Sequence, residues 1–388
     1  MKPRSIPFQQ PSQLITFSYT TEHVQEFTDS ALRYYSEAPL GANLKYGYER
    51  WLRRDDERGR IDALLRAVVE AKKREVLPQI GVIAWRGVMT KILTAPFENR
   101  DGWEMNVMNV GGTLYFEEHL TEAKLQEKNN MDARQRQQTY YGYAFESYST
   151  SEEPLSAQGV APAPGVPPGW SGDVDTNVQW CSVVRTKLGD MRMILGGEVD
   201  CVRGKYTGKT DAFVELKTSL AIRGPYDETR FERKLLKFYF QSFLLGVPEI
   251  VVGFRTPAGV VSTVQSFKTI QLPRLVRGKP GAWDPLVCLD WGYQVLTLLK
   301  GLLPGRREGQ GGDATTDAPM PVHLWRVKFV PGSGIRVDEL DAAGIGEVEN
   351  GEDRVGFLPR WYLDDVNTTS PAGEATTAGG PANSGWNL

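Results

Sequence analysis

Two short runs, Glu198-Val-Asp200 and Glu215-Leu-Lys217, place three carboxylates and a lysine within one stretch, Gly196 to Ser219. Both runs alternate apolar with charged residues, the pattern of a strand whose successive side chains point to opposite faces. Glu198 and Asp200 then share one face, with Val199 and Cys201 on the other. Glu215 and Lys217 share a face likewise, opposite Val214, Leu216 and Thr218. The connection carries Gly204 and Gly208 and reads as a rather long β-hairpin. Within each pair the Cα atoms stand roughly 6–7 Å apart, twice the strand rise. Carboxylates at that spacing can grip one divalent cation, or the near sides of two ions about 4 Å apart. Without a cation, each close like-charge pair would cost roughly 4 kcal/mol at an effective dielectric near 20. The same alternation also suits a solvated strand face, so the pattern alone leaves both readings open.

Three further places could join such a site. Thr139 to Glu146 (TYYGYAFE) reads as a strand from its aromatic density. One face would hold Tyr140, Gly142, Ala144 and Glu146, and the small residues would leave room for a ligand beside the glutamate. A glutamate at a strand end can equally be a solvated one. Lys237 and Gln241 lie four residues apart on a predicted helix, on the flank of its apolar stripe, where they could orient a phosphate and a water or simply face solvent. Arg86 sits in WRG after Val82, Ile83, Ala84 and Trp85. A guanidinium among such neighbours can hold a phosphate bidentately or serve a structural ion pair.

The elements that must position these residues follow from periodicity. Asp56–Val76 is a helix with Ile61, Leu64, Leu65, Val68 and Val69 in one stripe, and Glu228–Leu245 is an amphipathic helix buried through Phe231, Leu235, Phe238 and Leu245. A third helix is expected near Pro285–Leu303. Strands are expected over Gly81–Leu93, Trp180–Lys187, Met191–Val202, Glu249–Arg255, Val260–Thr269 and His323–Val330, with a hairpin over Trp103–Phe116 turning at Gly111-Gly112. Residues 1–28 read as an extended arm. Two stretches, about 148–175 (with APAPGVPPG) and about 304–320 (PGRREGQGGDATTDAP), read as flexible insertions, and 367–388 as a disordered tail. No linker separates two cores, so the chain is read as one large α+β domain spanning 29–366, with mixed and antiparallel sheets flanked by helices.

Composition narrows the partners. With 388 residues and a net charge of −3, the chain is no generally basic nucleic-acid coat, and any nucleic acid must lie in a local groove. Three cysteines without CxxC spacing and three scattered histidines point to reduced thiols and no zinc site. The absence of a long apolar run or a signal peptide suits a soluble intracellular protein.

The order Glu146, Glu198-x-Asp200, Glu215-x-Lys217 is the core of a PD-(D/E)xK nuclease site. Together with WRGVMTKILTAP, GYAFE, GGEVD, ELKT and KFYFQSFLLGVPEIVVGFR, the chain resembles the DXO/Rai family of RNA 5′-end decapping nucleases from about Ala31 to Val330. The resemblance implies that Glu146, Asp200 and Glu215 bind two divalent ions, Mg²⁺ or Mn²⁺, with Glu198 acting directly or through water and the Leu216 carbonyl completing the shell. It further implies that Lys217 and Gln241 face the nucleophile and scissile phosphate, and that Arg86 holds a substrate phosphate; Lys237, from its place on the helix flank beside Gln241, is a further candidate substrate contact. Family members remove pyrophosphate from 5′-triphosphate RNA, or release unmethylated or NAD-type caps. A fungal nuclear branch, which the ELKTS context resembles, also binds and stabilises a 5′→3′ exoribonuclease. Arg203, Lys205 and Lys209 in the hairpin turn could track RNA. The rival readings are a DNA-cleaving PD-(D/E)xK enzyme and a non-catalytic exonuclease scaffold.

Overall fold

The computed structural model describes residues 3–154, 164–302 and 323–368. The chain begins with strands β1 (Phe8–Tyr19), β2 (Gln25–Glu26) and β3 (Tyr34–Tyr35), followed by helix α1 (Asp62–Lys72). Strand β4 (Val82–Trp85) runs straight into α2 (Arg86–Thr94), and β5 (Trp103–Val110) and β6 (Thr113–Glu118) form a hairpin. Helices α3 (Glu122–Asn129) and α4 (Ala133–Tyr148) precede β7 (Thr150–Ser151), β8 (Gln179–Leu188), β9 (Met191–Glu198), β10 (Cys201–Val202) and β11 (Phe213–Leu220). Then come α5 (Pro225–Leu245), β12 (Glu249–Arg255), β13 (Val261–Lys268), α6 (Leu272–Val276) and α7 (Pro285–Gly301). The last described elements are β14 (Leu324–Val330), β15 (Gly334–Glu339), α8 (Ala342–Glu349), β16 (Arg354–Val355), β17 (Leu358–Pro359) and α9 (Arg360–Thr368).

Two mixed sheets result. The larger has nine strands in the order β15-β14-β5-β6-β4-β9-β8-β1-β2, and the smaller has six, β13-β12-β11-β10-β3-β7. Residues of α2, α5 and α7 bury one face of the large sheet, while α1 and α9 cover the other. Helix α4 covers the small sheet through Tyr140, Tyr141, Ala144, Phe145 and Tyr148. This is the expected α+β architecture, with the β5–β6 turn at Gly111 and Gly112, whose φ values of 58° and 81° favour glycine.

Four expectations change. The segment 139–146 is the second half of helix α4, not a strand. Its start is fixed by a capping box, in which Asp132 accepts from the Gln135 amide at 2.7 Å and the Gln135 side chain accepts from the Asp132 amide at 3.1 Å. The buried residues recur at helical spacing, Tyr140, Ala144 and Tyr148 in one row and Tyr141 and Phe145 in the next, and they pack the helix on the sheet. The segment 81–93 is strand only to Trp85. Val88, Met89, Ile92 and Leu93 then form the buried stripe of α2. The supposed N-terminal arm contains β1, paired with β8 from Phe8↔Leu188 to Tyr19↔Gln179, with Ile15 and Phe17 buried. The edges of the first insertion are packed: Trp170 lies against Tyr46 and Tyr148, and Asp173 pairs with Arg50 at 2.7 Å. The middle of that insertion, the second insertion, and the tail from residue 369 onward lie outside the described residues.

Candidate active site

The central stretch is not one hairpin but a crossing between the two sheets. β9 belongs to the large sheet, where Glu198, its last residue, faces Cys181 of β8 in register. Asp200 lies in the crossing, and only Cys201 and Val202 pair with Val214 and Phe213 in the small sheet. The alternation read from the sequence holds: Val199 and Cys201 are buried, while Glu198 and Asp200 turn to the partly open side. The acids therefore gather where two sheets part, a place that needs both sheets and helix α4 to exist.

Hydrogen bonds tie the group together. Glu215, 1% exposed, accepts from Arg86 Nη1 at 3.0 Å and from Lys217 Nζ at 2.5 Å. Asp200 Oδ2 accepts from the Leu216 amide at 2.6 Å, and Glu198 Oε2 from Gln179 Nε2 at 3.0 Å. Glu146, on the last turn of α4, feels the charges of Asp200, Glu198, Lys217 and Glu215. A cavity of about 160 Å³ is lined by Glu146, Glu198 and Asp200, and a larger one of about 720 Å³, lined by Arg53, Arg54 and Trp85 among others, meets it at Tyr143, Thr176, Gln179 and Glu198.

Glycines make the approach possible. A Cβ at Gly197 would stand 3.1 Å from Arg86, so the bare strand lets the guanidinium lie across it toward Glu215. A Cβ at Gly253 would collide with the Phe145 ring, so that glycine seats α4, and with it Glu146, close on the sheet. Gly142, one helical turn before Glu146, faces space in which a Cβ would touch nothing within 4 Å. The room expected beside Glu146 is there, supplied by a helix rather than a strand.

The RAI1 like PD-(D/E)XK nuclease model matches residues 9–363. The chain belongs to this family. The match reaches beyond the 31–330 read from motifs and takes in β1 and the C-terminal elements. The chain is 38% identical over 355 residues to the decapping nuclease RAI1 of Aspergillus fumigatus, covering 87% of this chain and 90% of that one. It is 34% identical over 379 residues to the decapping and exoribonuclease protein of Bos taurus, covering 94% and 87%. The crystal structure of S. pombe Rai1 in complex with 3′-FADP superposes with a TM-score of 0.69 at 26% identity, over 88% of this chain and 97% of that one.

In this RAI1-like site the charges do not balance, since four carboxylates face two cations. Burial, and then the charge of Asp200, push Glu198 up to about 7. Burial, then Glu215, push Asp200 up to about 6, and burial with Asp200 and Glu198 raise Glu146 well above the usual range. Glu215 is the exception. Burial would raise it, but Arg86 and Lys217 prevail and hold it at about 2. Burial likewise opposes charge on Lys217 and Arg86, and the facing carboxylates, Glu215 foremost, outweigh it. A hard oxygen donor set with surplus negative charge fits a divalent cation. Among the described residues, no three acidic, thiol or imidazole side chains already stand in ligating geometry, and Glu215 and Asp200 are engaged by protein donors instead.

A pH dependence follows. Because Glu198 and Asp200 hold protons in the fold up to about 7 and about 6, the metal-free protein binds more protons than its unfolded chain in that range. Their contribution to stability therefore falls as pH rises from roughly 4 through 7. Glu215 acts oppositely, its contribution being lost only as pH falls toward about 2. In chelator, the melting temperature of wild type relative to Glu198→Gln/Asp200→Asn should fall as pH rises from about 5 to 8. A difference that stays flat across that range would mean the two acids are not crowded in the fold.

Not every candidate joins the cluster. Lys237 Nζ turns outward to Glu98 Oε2 at 3.0 Å and is 55% exposed, so the helix flank that suggested a phosphate contact is spent on a surface ion pair. Gln241 precedes by one turn Leu245, whose methyl would lie 2.9 Å from a Cβ on Gly197, next to Arg86. That places it on the α5 face toward the site. Arg203 is bound to Glu249 at 2.7 Å and stacks on Tyr35, so it is not a free RNA contact. Gln179, which no motif singles out, holds Glu198 from the neighbouring strand. Its one sequence signal is its position just before Trp180, at the head of an expected strand.

Proposed function

We propose that this protein is a divalent-metal-dependent hydrolase of RNA 5′ ends, removing pyrophosphate from 5′-triphosphate RNA and releasing unmethylated or NAD-type caps. The observation that carries the reading is the crowding of Glu146, Glu198, Asp200 and Glu215 around Arg86 and Lys217 at the junction of the sheets, in a chain whose relatives are decapping nucleases. Glu146, Asp200, Glu215 and the Leu216 carbonyl would hold two Mg²⁺ or Mn²⁺ ions, with Glu198 joining directly or through water. Bound there, such ions lower the pKa of an adjacent water and neutralise charge on the phosphate. Arg86 spans from Glu215 toward the phosphate as a fixed fork. Lys217, held protonated, donates to the nucleophile and phosphate rather than acting as a base. Gln241 orients the nucleophile from α5. The adenine dinucleotide analogue bound by S. pombe Rai1 is of the chemical class of a nucleotide-cofactor cap.

The test is mass analysis of products from RNAs bearing triphosphate, unmethylated cap, NAD cap or monophosphate, with Mg²⁺ and with Mn²⁺. Release of pyrophosphate or an intact cap dinucleotide supports the reading. Cleavage of duplex DNA with the RNAs untouched would make this a DNA nuclease, and no turnover of any substrate would leave a scaffold. Lys217→Ala should slow turnover about 100-fold or more while Mn²⁺ binding is kept or tightened, since a competing cation is gone. Calorimetry showing equal metal loss in Lys217→Ala and Glu215→Ala would overturn that division of roles.

We also propose a nuclear setting and a 1:1 complex with a 5′→3′ exoribonuclease, for which a trimmed monophosphate end is the substrate. The surface used would lie away from the carboxylates, so Glu198→Gln/Asp200→Asn should still co-purify with the exonuclease and raise its melting temperature. A complex lost together with the acids would refute the separate surface.

A further inference from the structure

The outer end of β12 carries a cation that the carboxylate cluster does not use. Arg255, the last residue of β12, is 8% exposed yet forms no ion pair among the described residues. Its Nε has no hydrogen-bond partner, and its Nη1 meets only the Thr256 carbonyl, at 3.4 Å. The guanidinium lies 4.6 Å from the centre of the Tyr141 ring. A buried guanidinium without an acid is costly unless some anion meets it.

Two more cations stand across the end of the sheet from it: Arg255 turns to Tyr141 on the α4 face, whereas these lie on α5, over the face that carries Ser219 and Phe254. Lys234 and Arg230, one turn apart on α5, are exposed and also lack ion pairs among the described residues. Burial, then the charges of Arg230 and Arg255, lower the pKa of Lys234, which places the three within electrostatic reach of one another. The three acids on the same helix are engaged elsewhere: Glu228 and Glu232 both turn to Lys279, and Asp227 accepts from the Arg223 amide at 3.1 Å. Arg230 stands 5.6 Å from the ring of Tyr226, which is 73% exposed. A cationic trio beside an open aromatic ring has the two components of a single-strand nucleic-acid groove.

Its position relative to the reaction centre gives the direction. Ser219 shares a strand face with Glu215 and Lys217, and lies roughly 6–7 Å beyond Lys217. Lys234 Nζ donates to Ser219 Oγ at 3.4 Å. Seven residues further along α5, roughly 10 Å at the helical rise, stands Gln241, one turn before the Leu245 that packs beside Gly197 and Arg86. The strand and the helix thus lead together from the carboxylates to Lys234 and Arg230, with Arg255 at the end of the neighbouring strand.

Resting on the proposed action at RNA 5′ ends, we propose that Lys234, Arg230 and Arg255 form a track for the RNA phosphates downstream of the reacting end, with Tyr226 as a stacking surface. The track gives a weakly acidic protein a local means of retaining its substrate.

Fluorescence anisotropy tests it in the Glu198→Gln/Asp200→Asn background, which keeps RNA intact. The probes are a 5′-phosphorylated diuridylate and an oligouridylate of about eight nucleotides, long enough to fill a single-strand groove. Adding Arg230→Glu and Lys234→Glu should weaken the longer probe about tenfold or more and leave the diuridylate unaffected. The salt slope should fall by about 0.7 for each phosphate that no longer meets a cation. Arg255→Gln should weaken the longer probe without lowering the melting temperature, because no acid is left unpaired. Unchanged binding of the longer probe, equal loss for both lengths, or a destabilised Arg255→Gln would overturn the track. So would displacement of the RNA by polyglutamate at equal charge, which would assign the patch to an acidic protein segment. Should no RNA 5′ end be hydrolysed by wild type, the proposed reaction fails, while a length-dependent loss in the charge-reversed variant still supports the track.

Discussion

Glu198→Gln combined with Asp200→Asn is expected to lower hydrolysis of 5′-triphosphate RNA by about three orders of magnitude or more, while the protein stays folded. The two effects separate because the acids are costly to the fold and necessary to the chemistry. In the metal-free protein both carry raised pKa values, from burial first and from neighbouring acids second, so removing their charge relieves repulsion. The amides also keep the local hydrogen bonds, since each retains an oxygen that can accept from Gln179 and from the Leu216 amide. In chelator at pH 8 the variant should melt no lower than wild type. Mn²⁺ should raise the melting temperature of wild type and not of the variant. Turnover by the variant at saturating Mn²⁺ would sink the assignment of these acids, and unfolding would make them part of a structural network instead.

What the sequence made legible was the chemistry on strands. The alternation at Glu198–Asp200 and Glu215–Lys217 is a local property of a pleated chain, and the structure keeps it. What it hid was the company each strand keeps. Nothing in GGEVDCV says that Glu198 ends a strand of one sheet while Cys201 opens a strand of another, because that depends on β4 and β3, which are distant in the chain. The misreading of 139–146 has a different cause. Aromatic density favours strands on average, but here the buried residues Tyr140, Ala144 and Tyr148, and Tyr141 and Phe145, recur at intervals of four, and Asp132 with Gln135 supplies a helix start seven residues before Thr139. Arg86 shows a third case. Its apolar neighbours suggest a continuing strand, whereas the strand ends at Trp85 and the arginine opens a helix. The positive charge is ill placed for the dipole there and is compensated by Glu215.

That compensation makes Glu215 unlike the other acids, and Glu215→Ala is expected to cost about 3–5 kcal/mol of stability, where the Glu198/Asp200 change costs none. Glu215 is 1% exposed and is the common acceptor of Arg86 and Lys217, whose side chains are 13% and 23% exposed. Without it, two poorly solvated cations face each other with no hydrogen-bonded carboxylate between them. The low pKa of Glu215, about 2 despite burial, shows how strongly its charge is wanted. Urea denaturation in chelator at pH 7 measures the loss, and activity should vanish as well, since the same carboxylate is a proposed metal ligand. Adding Lys217→Met to Glu215→Ala removes one stranded cation, so the pair should be more stable than Glu215→Ala alone while remaining inactive. Strictly additive costs for the two substitutions would show that Glu215 and Lys217 are not coupled, and an ion-paired centre built on Glu215 would then be wrong.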